Sequence, residues 1–291
     1  MSYKHWFVAS AMWVGLAAVA LAQPPYKTLL VDGQNAHNWK ETSPVLKKVL
    51  ESTGLFTVEV ATSPEKGKDM SGFKPNFAAY KLVVLNYQGD DWSADTQKAF
   101  VDYVQGGGGV VVYHFALAAF PQWKEFNEII GLGGWGGRNE KSGPYLRWRE
   151  GKIVQDNSPG VGGAHGPSQP FQLVIREPNH PITKGLPEKF MHVSDELYGW
   201  LRGPAKNVTV LATAFAPKDK GGAEEHEPLL FTVTYGKGRI FQNALGHTGK
   251  ELKSVAFIAT FQRGAEWAVT GNVTQKVPAD FPGPDKASIR E

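Results

Sequence analysis

The sequence contains no cysteine, and this absence removes several classes of function. The chain can form no disulfide bond, cannot use a thiolate nucleophile and cannot hold zinc through sulfur ligands. It also lacks a Gly-x-Ser-x-Gly motif, which carries the nucleophile of the standard serine-hydrolase elbow. Covalent acyl transfer of the amidotransferase or peptidase kind is therefore not expected.

The chain also has little excess of positive over negative charge. The 291 residues carry a formal net charge of only +3, and lysine and arginine form no dense cluster along the chain. Nucleic-acid binding depends on such a cluster, because the phosphate charges must be neutralised. Nucleic acid is therefore not an expected partner.

Long hydrophobic runs are limited to one, at the N-terminus. A Lys-His pair precedes an apolar run over residues 6–20, which closes with the small-x-small cleavage pattern Ala20-Leu21-Ala22. The run is short for a membrane span and typical of a secretory signal peptide, with an uncleaved anchor as the alternative. We expect cleavage after Ala22, a periplasmic or secreted mature protein, and no membrane span in the remaining chain.

The first half of the remaining chain alternates between apolar strand patterns and amphipathic helix patterns. Strands are predicted at Lys27–Val31, Phe56–Ala61, Leu82–Leu85 and Val110–Tyr113, and helices are predicted to begin at Ser43-Pro44 and Ser93. Strands joined in this order by short connections form a parallel sheet with helices on both faces. The sequence therefore predicts an α/β protein with a mostly parallel sheet.

The second half is less regular. Residues 131–200 read as an inserted loop region, with a hairpin at Arg149-Glu150-Gly151 and an irregular polar segment over Asn179–Tyr198. Later strands are predicted at Val208–Ala212, Leu229–Thr234 and Arg239–Leu245, the last two as an antiparallel hairpin, followed by a helix over Lys253–Val269. We divide the chain into a signal peptide (1–22), one α/β domain (23–276) and a loosely packed, Pro-rich tail (277–291).

Three histidines lie just beyond the carboxyl ends of predicted strands. His37 follows the first strand, His114 ends the fourth, and His247 follows the strand that ends at Leu245. Ligands of open α/β sheets bind at this edge. Any one of the three could be an ordinary surface residue, but together they indicate a shared site.

A second cluster is the stretch His192-Val-Ser-Asp195-Glu196-Leu-Tyr198, which joins an imidazole, two carboxylates and a phenol. As a polar loop it could supply a general acid or base, or oxygen ligands for a divalent metal ion held with histidines. The alternative is a solvated turn. His165 is a weaker candidate, and His226 belongs to a charge run that we expect to be exposed.

Tryptophans are frequent in the predicted loops, and their flat rings suit the C–H faces of sugars. Packing beneath long loops is the alternative, and we expect it to account for more than half of them. The candidate substrate-binding residues are Asn35, Trp39, Trp123, His192 and Tyr198.

The chain carries the motifs Asp32-Gly-Gln-Asn-Ala-His-Asn-Trp39, Tyr113-His114, His180-Pro-Ile-Thr-Lys-Gly-Leu186, Asp195-Glu-Leu-Tyr198, Leu245-Gly-His247 and Phe261-Gln-Arg-Gly-Ala-Glu-Trp267. Together these motifs resemble the ThuA-like (trehalose utilisation) family over residues 27–271. The resemblance implies a class I glutamine amidotransferase-like fold, a flavodoxin-like three-layer α/β/α sandwich, and a link to trehalose, related glycosides or keto-sugars. At matching positions it implies functional roles for His37, His114, Asp195, Glu196 and His247.

The leading prediction is an exported enzyme, a lyase, isomerase or hydrolase, that acts on a glycoside or keto-sugar by acid–base chemistry. His114 would be central, His37 and His247 would lie beside it, and Glu196 would donate or accept a proton, because imidazole exchanges protons near neutral pH. A divalent metal ion is an open alternative as cofactor. The rival prediction is a non-catalytic carbohydrate-binding protein; a small carbohydrate is the expected partner in both cases, and no oligomeric state is predicted.

Overall fold

A computed structural model describes residues 1–2 and 25–291 of the chain. The predicted signal peptide and its cleavage site fall on residues 3–24 and therefore lie outside the described residues. None of the helices in the described part is long and apolar enough to cross a membrane.

Thirteen strands and four α-helices make up the described fold. The strands are β1 (Tyr26–Asp32), β2 (Phe56–Thr62), β3 (Leu82–Leu85), β4 (Gly109–Tyr113), β5 (Tyr145–Arg149), β6 (Lys152–Asp156), β7 (Ala164–His165), β8 (Gln169–Ile175), β9 (Lys189–Asp195), β10 (Tyr198–Gly199), β11 (Val208–Ala216), β12 (Glu225–Tyr235) and β13 (Gly238–Asn243). The helices are α1 (Trp39–Glu51), α2 (Ala94–Gln105), α3 (Lys124–Ile130) and α4 (Val255–Thr270).

Nine of these strands form one mixed sheet in the order β2-β1-β3-β4-β13-β12-β11-β8-β9. The first five strands in this order run parallel, and the pairs from β13 to β9 are antiparallel. The central strands β3 and β4 are buried along their whole length, which explains their continuous apolar sequences. The predicted α/β sandwich is confirmed, and its parallel half consists of strands that the sequence predicted.

The pairing of β4 with β13 decides where the functional edge lies. These strands run parallel, with Tyr113 opposite Asn243 at their carboxyl ends. The chain segments that follow both strands therefore emerge side by side. Helix α4 packs against both strands and against α1, while α2 and α3 contact each other elsewhere on the sheet.

The predicted start of the first helix at Ser43-Pro44 is wrong. Helix α1 begins at Trp39 and contains Pro44 in its interior. Asn38 explains the difference, because its carbonyl oxygen accepts the backbone N–H groups of Glu41 and Thr42 and closes the first turn before the proline. Ser43 is buried and accepts a hydrogen bond from the Asn86 side chain, so it does not cap the helix.

Two polar segments that were predicted as irregular or exposed are strands. Residues 189–195 of the supposedly irregular segment form the sheet edge β9, where polar residues occupy buried positions and obscure the alternation. His226 lies in β12 and is half-buried, next to the buried Glu227. An ion pair with Arg147 of β5 accommodates the Glu227 carboxylate and attaches the β5–β6 hairpin, which was predicted, to β12.

The tail after Val277 packs more firmly than predicted. Its backbone is tied to the fold, since Gly283 accepts a hydrogen bond from the Met191 N–H at 2.9 Å and Ser288 accepts one from Val255 at 2.9 Å. The Phe281 ring packs against Phe190 at 5.1 Å between centroids. One aromatic anchor and these backbone hydrogen bonds compensate for the proline-rich composition of the tail.

A half-buried histidine makes the stability of this fold depend on pH. Burial lowers the pKa of His180 from 6.5 to about 4, and its Nδ1 accepts the Ile182 N–H. The unfolded chain therefore takes up this proton first, so the free energy of unfolding falls as the pH drops from 6.5 towards 4. We expect His180→Asn, which keeps an acceptor but does not titrate, to show a smaller fall than the wild type in urea denaturation at pH 7 and pH 5. Equal falls in both proteins would contradict this assignment.

Candidate functional site

The structure brings His37, His114 and His247 together at the carboxyl edge of the parallel strands. The ring centroids of His37 and His114 lie 4.9 Å apart, those of His37 and His247 lie 4.5 Å apart, and those of His114 and His247 lie 5.7 Å apart. The clustering follows from the topology, because β1, β4 and β13 all run parallel and end at the same edge.

His114 is fixed in position and in tautomer. It directly follows β4 and has a left-handed backbone conformation, with φ of 44°, which is uncommon for a residue other than glycine. Its Nδ1 lies 2.8 Å from the Ala244 carbonyl oxygen, so Nδ1 carries the proton and donates it. Its Nε2 is therefore an acceptor and receives the Tyr198 hydroxyl at 2.7 Å.

Glu196 lies at the centre of the histidine cluster. Its Oε1 is 3.4 Å from Nδ1 of His247 and 3.5 Å from Nε2 of His165, and its Oε2 is 3.7 Å from Nε2 of His114. Burial raises the pKa of Glu196, but the proximity of His114, His247 and His165 outweighs burial and brings the pKa below its ordinary value. The site therefore contains a carboxylate that is ionised at neutral pH.

The histidines around Glu196 lie in two layers. We call His165 and His247 the outer pair, because their side chains are 35% and 30% exposed. We call His37 and His114 the inner pair, since His114 is only 1% exposed and Nδ1 of His37 is buried. Burial, followed by repulsion from His114 and His247, lowers the pKa of His37 to about 3, so its ring is neutral at physiological pH.

The buried Asp195 carboxylate supports the site through hydrogen bonds. Its Oδ2 accepts hydrogen bonds from the Gly246 N–H at 2.6 Å and from Nε2 of His192 at 2.8 Å, while its Oδ1 accepts the N–H groups of Glu196 at 2.8 Å and His247 at 3.2 Å. Burial raises its pKa, but the hydrogen bond and charge of His192 and the other donors prevail and set the pKa to about 2. The carboxylate thus joins the segment that carries Glu196 to the segment that carries His247.

Three of the predicted site residues are buried behind the cluster. Asp195 and His192 are fully buried, and Nδ1 of His192 contacts Ser254 Oγ at 3.1 Å, so neither side chain is placed to touch a substrate. Tyr198 is also fully buried, with its hydroxyl bonded to His114. The stretch from His192 to Tyr198 therefore runs from the end of β9 to the start of β10, and Glu196 and Tyr198 are its side chains that contact the histidine cluster.

The two tryptophans predicted to bind substrate differ in burial. Trp123 packs in the core against Phe120 and Phe126, with centroids 5.3 and 5.5 Å away, and its role in substrate binding stays a prediction. Trp39 is half-buried and, together with Asn35, lines a surface cleft of about 400 Å³. Both residues lie two positions from His37 in the sequence. Asn35 also positions His37, because its Oδ1 accepts the His37 backbone N–H at 3.0 Å.

Two members of the site come from the inserted region and were missed or undervalued. His165 lies on β7, which pairs with β10 so that His165 stands opposite Tyr198. Trp135 is half-buried, and its ring lies 4.7 Å from the Tyr198 ring and 5.1 Å from the Phe115 ring. The sequence signal for both residues was the high glycine content around them. One of these glycines is needed for close packing, because a Cβ atom at Gly163 would lie 2.4 Å from the Trp135 backbone nitrogen.

The site also has the donor set of a metal centre. One ligand atom each from His37, His114 and Glu196 can be chosen so that all three lie within 4.8 Å of one another. Neutral imidazoles and a carboxylate are ordinary ligands of divalent transition metals.

The chain belongs to the ThuA family, described as trehalose utilisation, whose model matches residues 27–268. The resemblance noted in the sequence is confirmed, together with the amidotransferase-like fold. A ThuA-like protein from Parabacteroides merdae is 51% identical, with a TM-score of 0.89 over 91% of this chain and 98% of that chain.

More distant structures share the fold alone. A ThuA-like protein from Bacteroides uniformis is 21% identical, with a TM-score of 0.59 over 89% of this chain and 97% of that chain. Agd3, described as a novel carbohydrate deacetylase, is 10% identical, with a TM-score of 0.50 over 87% of this chain and 33% of that chain. None of the curated proteins matches the chain.

Replacing the buried carboxylate should loosen the site. Asp195→Asn puts an amide nitrogen where one oxygen accepts hydrogen bonds, and it removes the negative charge beside His192. We expect the free energy of unfolding at pH 7 to fall by about 3 kcal/mol in urea denaturation. The control Asp285→Asn, at an exposed tail position, should change it by less than about 0.5 kcal/mol. Similar small effects of both substitutions would show that Asp195 does not hold the site together.

Proposed function

We propose that the chain is an exported enzyme that acts on a glycoside or keto-sugar related to trehalose by proton transfer. The observation that carries this proposal is the arrangement of the outer pair around one oxygen of Glu196. His247 and His165 lie 3.4 and 3.5 Å from Oε1, and their side chains are 30% and 35% exposed. Both imidazoles are therefore accessible to a substrate that enters from solvent.

Two imidazoles that share one carboxylate suit a reaction that needs both a base and an acid. One imidazole would remove a proton from the carbon beside a sugar carbonyl, and the other would give a proton to the oxygen that leaves or to the carbonyl oxygen. The Glu196 carboxylate would stabilise the imidazolium formed by the first step. This scheme covers elimination and isomerisation, and hydration follows from elimination in reverse.

Aromatic side chains beside the outer pair support a sugar as the substrate. Trp135 and Phe115 are half-buried, in edge contact at 5.1 Å, and the Trp135 ring lies 6.1 Å from the His165 ring. Such rings bind the C–H faces of a pyranose, while nearby amides such as Asn35 can bind its hydroxyl groups. Membership of a family described as trehalose utilisation agrees with this substrate class.

Export is part of the same proposal and rests on the N-terminal sequence. The apolar run over residues 6–20 and the Ala-Leu-Ala pattern after it support a cleaved signal peptide and a periplasmic or secreted enzyme. N-terminal sequencing of the protein recovered from its native host tests this part: Gln23 is expected as the first residue.

The outer pair provides the decisive mutational test. His247→Gln and His165→Gln should each lower turnover by about 10²- to 10⁴-fold, because each removes a group that transfers a proton. The matched control is His226→Gln, at a half-buried histidine of β12 that contacts Thr213. Turnover would be measured by NMR on trehalose, other glucosides and their keto derivatives, with substrate binding measured by calorimetry.

The same measurements separate an enzyme from a binding protein. Sugar binding with no product from any member of the panel would favour the non-catalytic alternative. Product formation at the wild-type rate by both outer-pair variants would remove the proposed roles of His165 and His247.

A further inference from the structure

We infer that the inner half of the site binds one divalent transition-metal ion through His37, His114 and Glu196. The inference concerns groups that the proton-transfer scheme does not use: the inner pair of histidines and the second carboxylate oxygen. It stands independently of the proposed function, because a metal site can be detected by binding alone.

The two oxygens of Glu196 face different surroundings. Oε1 faces the outer pair, whereas Oε2 faces Nε2 of His114 at 3.7 Å. Oε2 is buried and has no hydrogen-bond partner among the described residues, in a residue that is only 8% exposed. A buried carboxylate oxygen normally has a partner, so this oxygen indicates a ligand that the protein chain does not supply.

His114 is oriented as metal-binding histidines usually are. Its Nδ1–H donates to the Ala244 carbonyl oxygen at 2.8 Å, which fixes the ring and leaves the Nε2 lone pair directed at the cluster. A hydrogen bond from the second ring nitrogen to a carbonyl or carboxylate is the usual support of a metal-ligating imidazole. The left-handed backbone of His114 shows that the fold maintains this ring position against a local preference.

His37 supplies the second nitrogen. Its Nδ1 is buried and, within the part of the chain that the structure describes, also has no hydrogen-bond partner. Its ring stacks on Phe115 at 4.6 Å and lies 4.9 Å from the His114 ring. Two buried polar atoms without partners, Nδ1 of His37 and Oε2 of Glu196, thus belong to the same small cluster.

Binding requires a small contraction and one displaced hydrogen bond. The three ligand atoms now lie within 4.8 Å of one another, and bonds of about 2.0–2.1 Å would place tetrahedral ligands about 3.4 Å apart. Modest side-chain rotations close this difference. The Tyr198 hydroxyl, which now donates to Nε2 of His114, must turn away from the lone pair that the ion takes.

The ligand set defines the class of ion. Two imidazoles and one carboxylate favour Zn²⁺, Mn²⁺, Fe²⁺ or Co²⁺ over Ca²⁺ and Mg²⁺, which prefer oxygen ligands alone. Three protein ligands leave at least one coordination position open, as in catalytic zinc sites. A carbonyl or hydroxyl oxygen of a sugar held beside the outer pair is of the right chemistry to take that position.

Binding is tested on the whole protein after removal of metal by chelation. Calorimetric titration with Zn²⁺ and with Mn²⁺ should show one equivalent of at least one ion bound to the wild type, and elemental analysis after gel filtration should give the same ratio. His37→Gln, His114→Gln and Glu196→Gln should each weaken this binding by at least about 100-fold. Circular dichroism establishes that each variant is folded.

Two further variants keep the test decisive. His226→Gln removes a histidine outside the cluster and should leave affinity unchanged, and Tyr198→Phe removes only the competing hydroxyl and should bind as tightly as the wild type or more tightly. The inference is overturned if the wild type binds no equivalent of either ion, or if Glu196→Gln and His37→Gln bind as the wild type does. Since no readout is turnover, such a failure would leave the proposed proton transfer standing. Conversely, outer-pair variants that turn over at the wild-type rate would contradict the proton-transfer scheme and leave the metal site standing.

Discussion

The arrangement of the site depends on the hydrogen bonds that converge on Asp195. Strand β9 is at the edge of the sheet, separated from β13 by three strands, yet its last residue binds the backbone that follows β13. The antiparallel half therefore folds back so that β9 packs against α4, and His192 links Asp195 to Ser254 at the start of that helix. These buried hydrogen bonds hold Glu196 and His247 next to each other.

Much of the fold was predictable because its central strands follow simple rules. Leu82–Leu85 and Val110–Tyr113 are continuous apolar runs between turns, and such runs belong to buried parallel strands. Strand β9 escaped prediction because His192 and Asp195 are buried as a hydrogen-bonded pair, so polarity no longer marks the exposed face. The start of α1 was placed wrongly because proline favours the first position of a helix, and Pro44 was therefore taken as that position. The backbone hydrogen bonds to the Asn38 carbonyl oxygen, which begin the helix earlier, cannot be inferred from the residue types.

The site divides in a similar way between the predictable and the unpredictable. His37, His114 and His247 were identified because parallel strands share one ligand-binding edge, and this rule needs only the order of strands. Glu196 was identified by composition, but its central position depends on the fold-back of β9. His165 and Trp135 belong to a region without periodicity, where the pairing of β7 with β10 and the close approach at Gly163 are tertiary facts.

The residues of the site come from two structural regions, and these regions can change independently in evolution. The inner pair follows strands of the central sheet, where a shift of the backbone would disturb the core. His165 and Trp135 stand on a glycine-rich insert attached through short pairings. Lengthening or replacing that insert would alter which molecules reach the centre, and the groups beneath would keep their places. Selectivity and chemistry are thereby encoded in separable stretches of one chain.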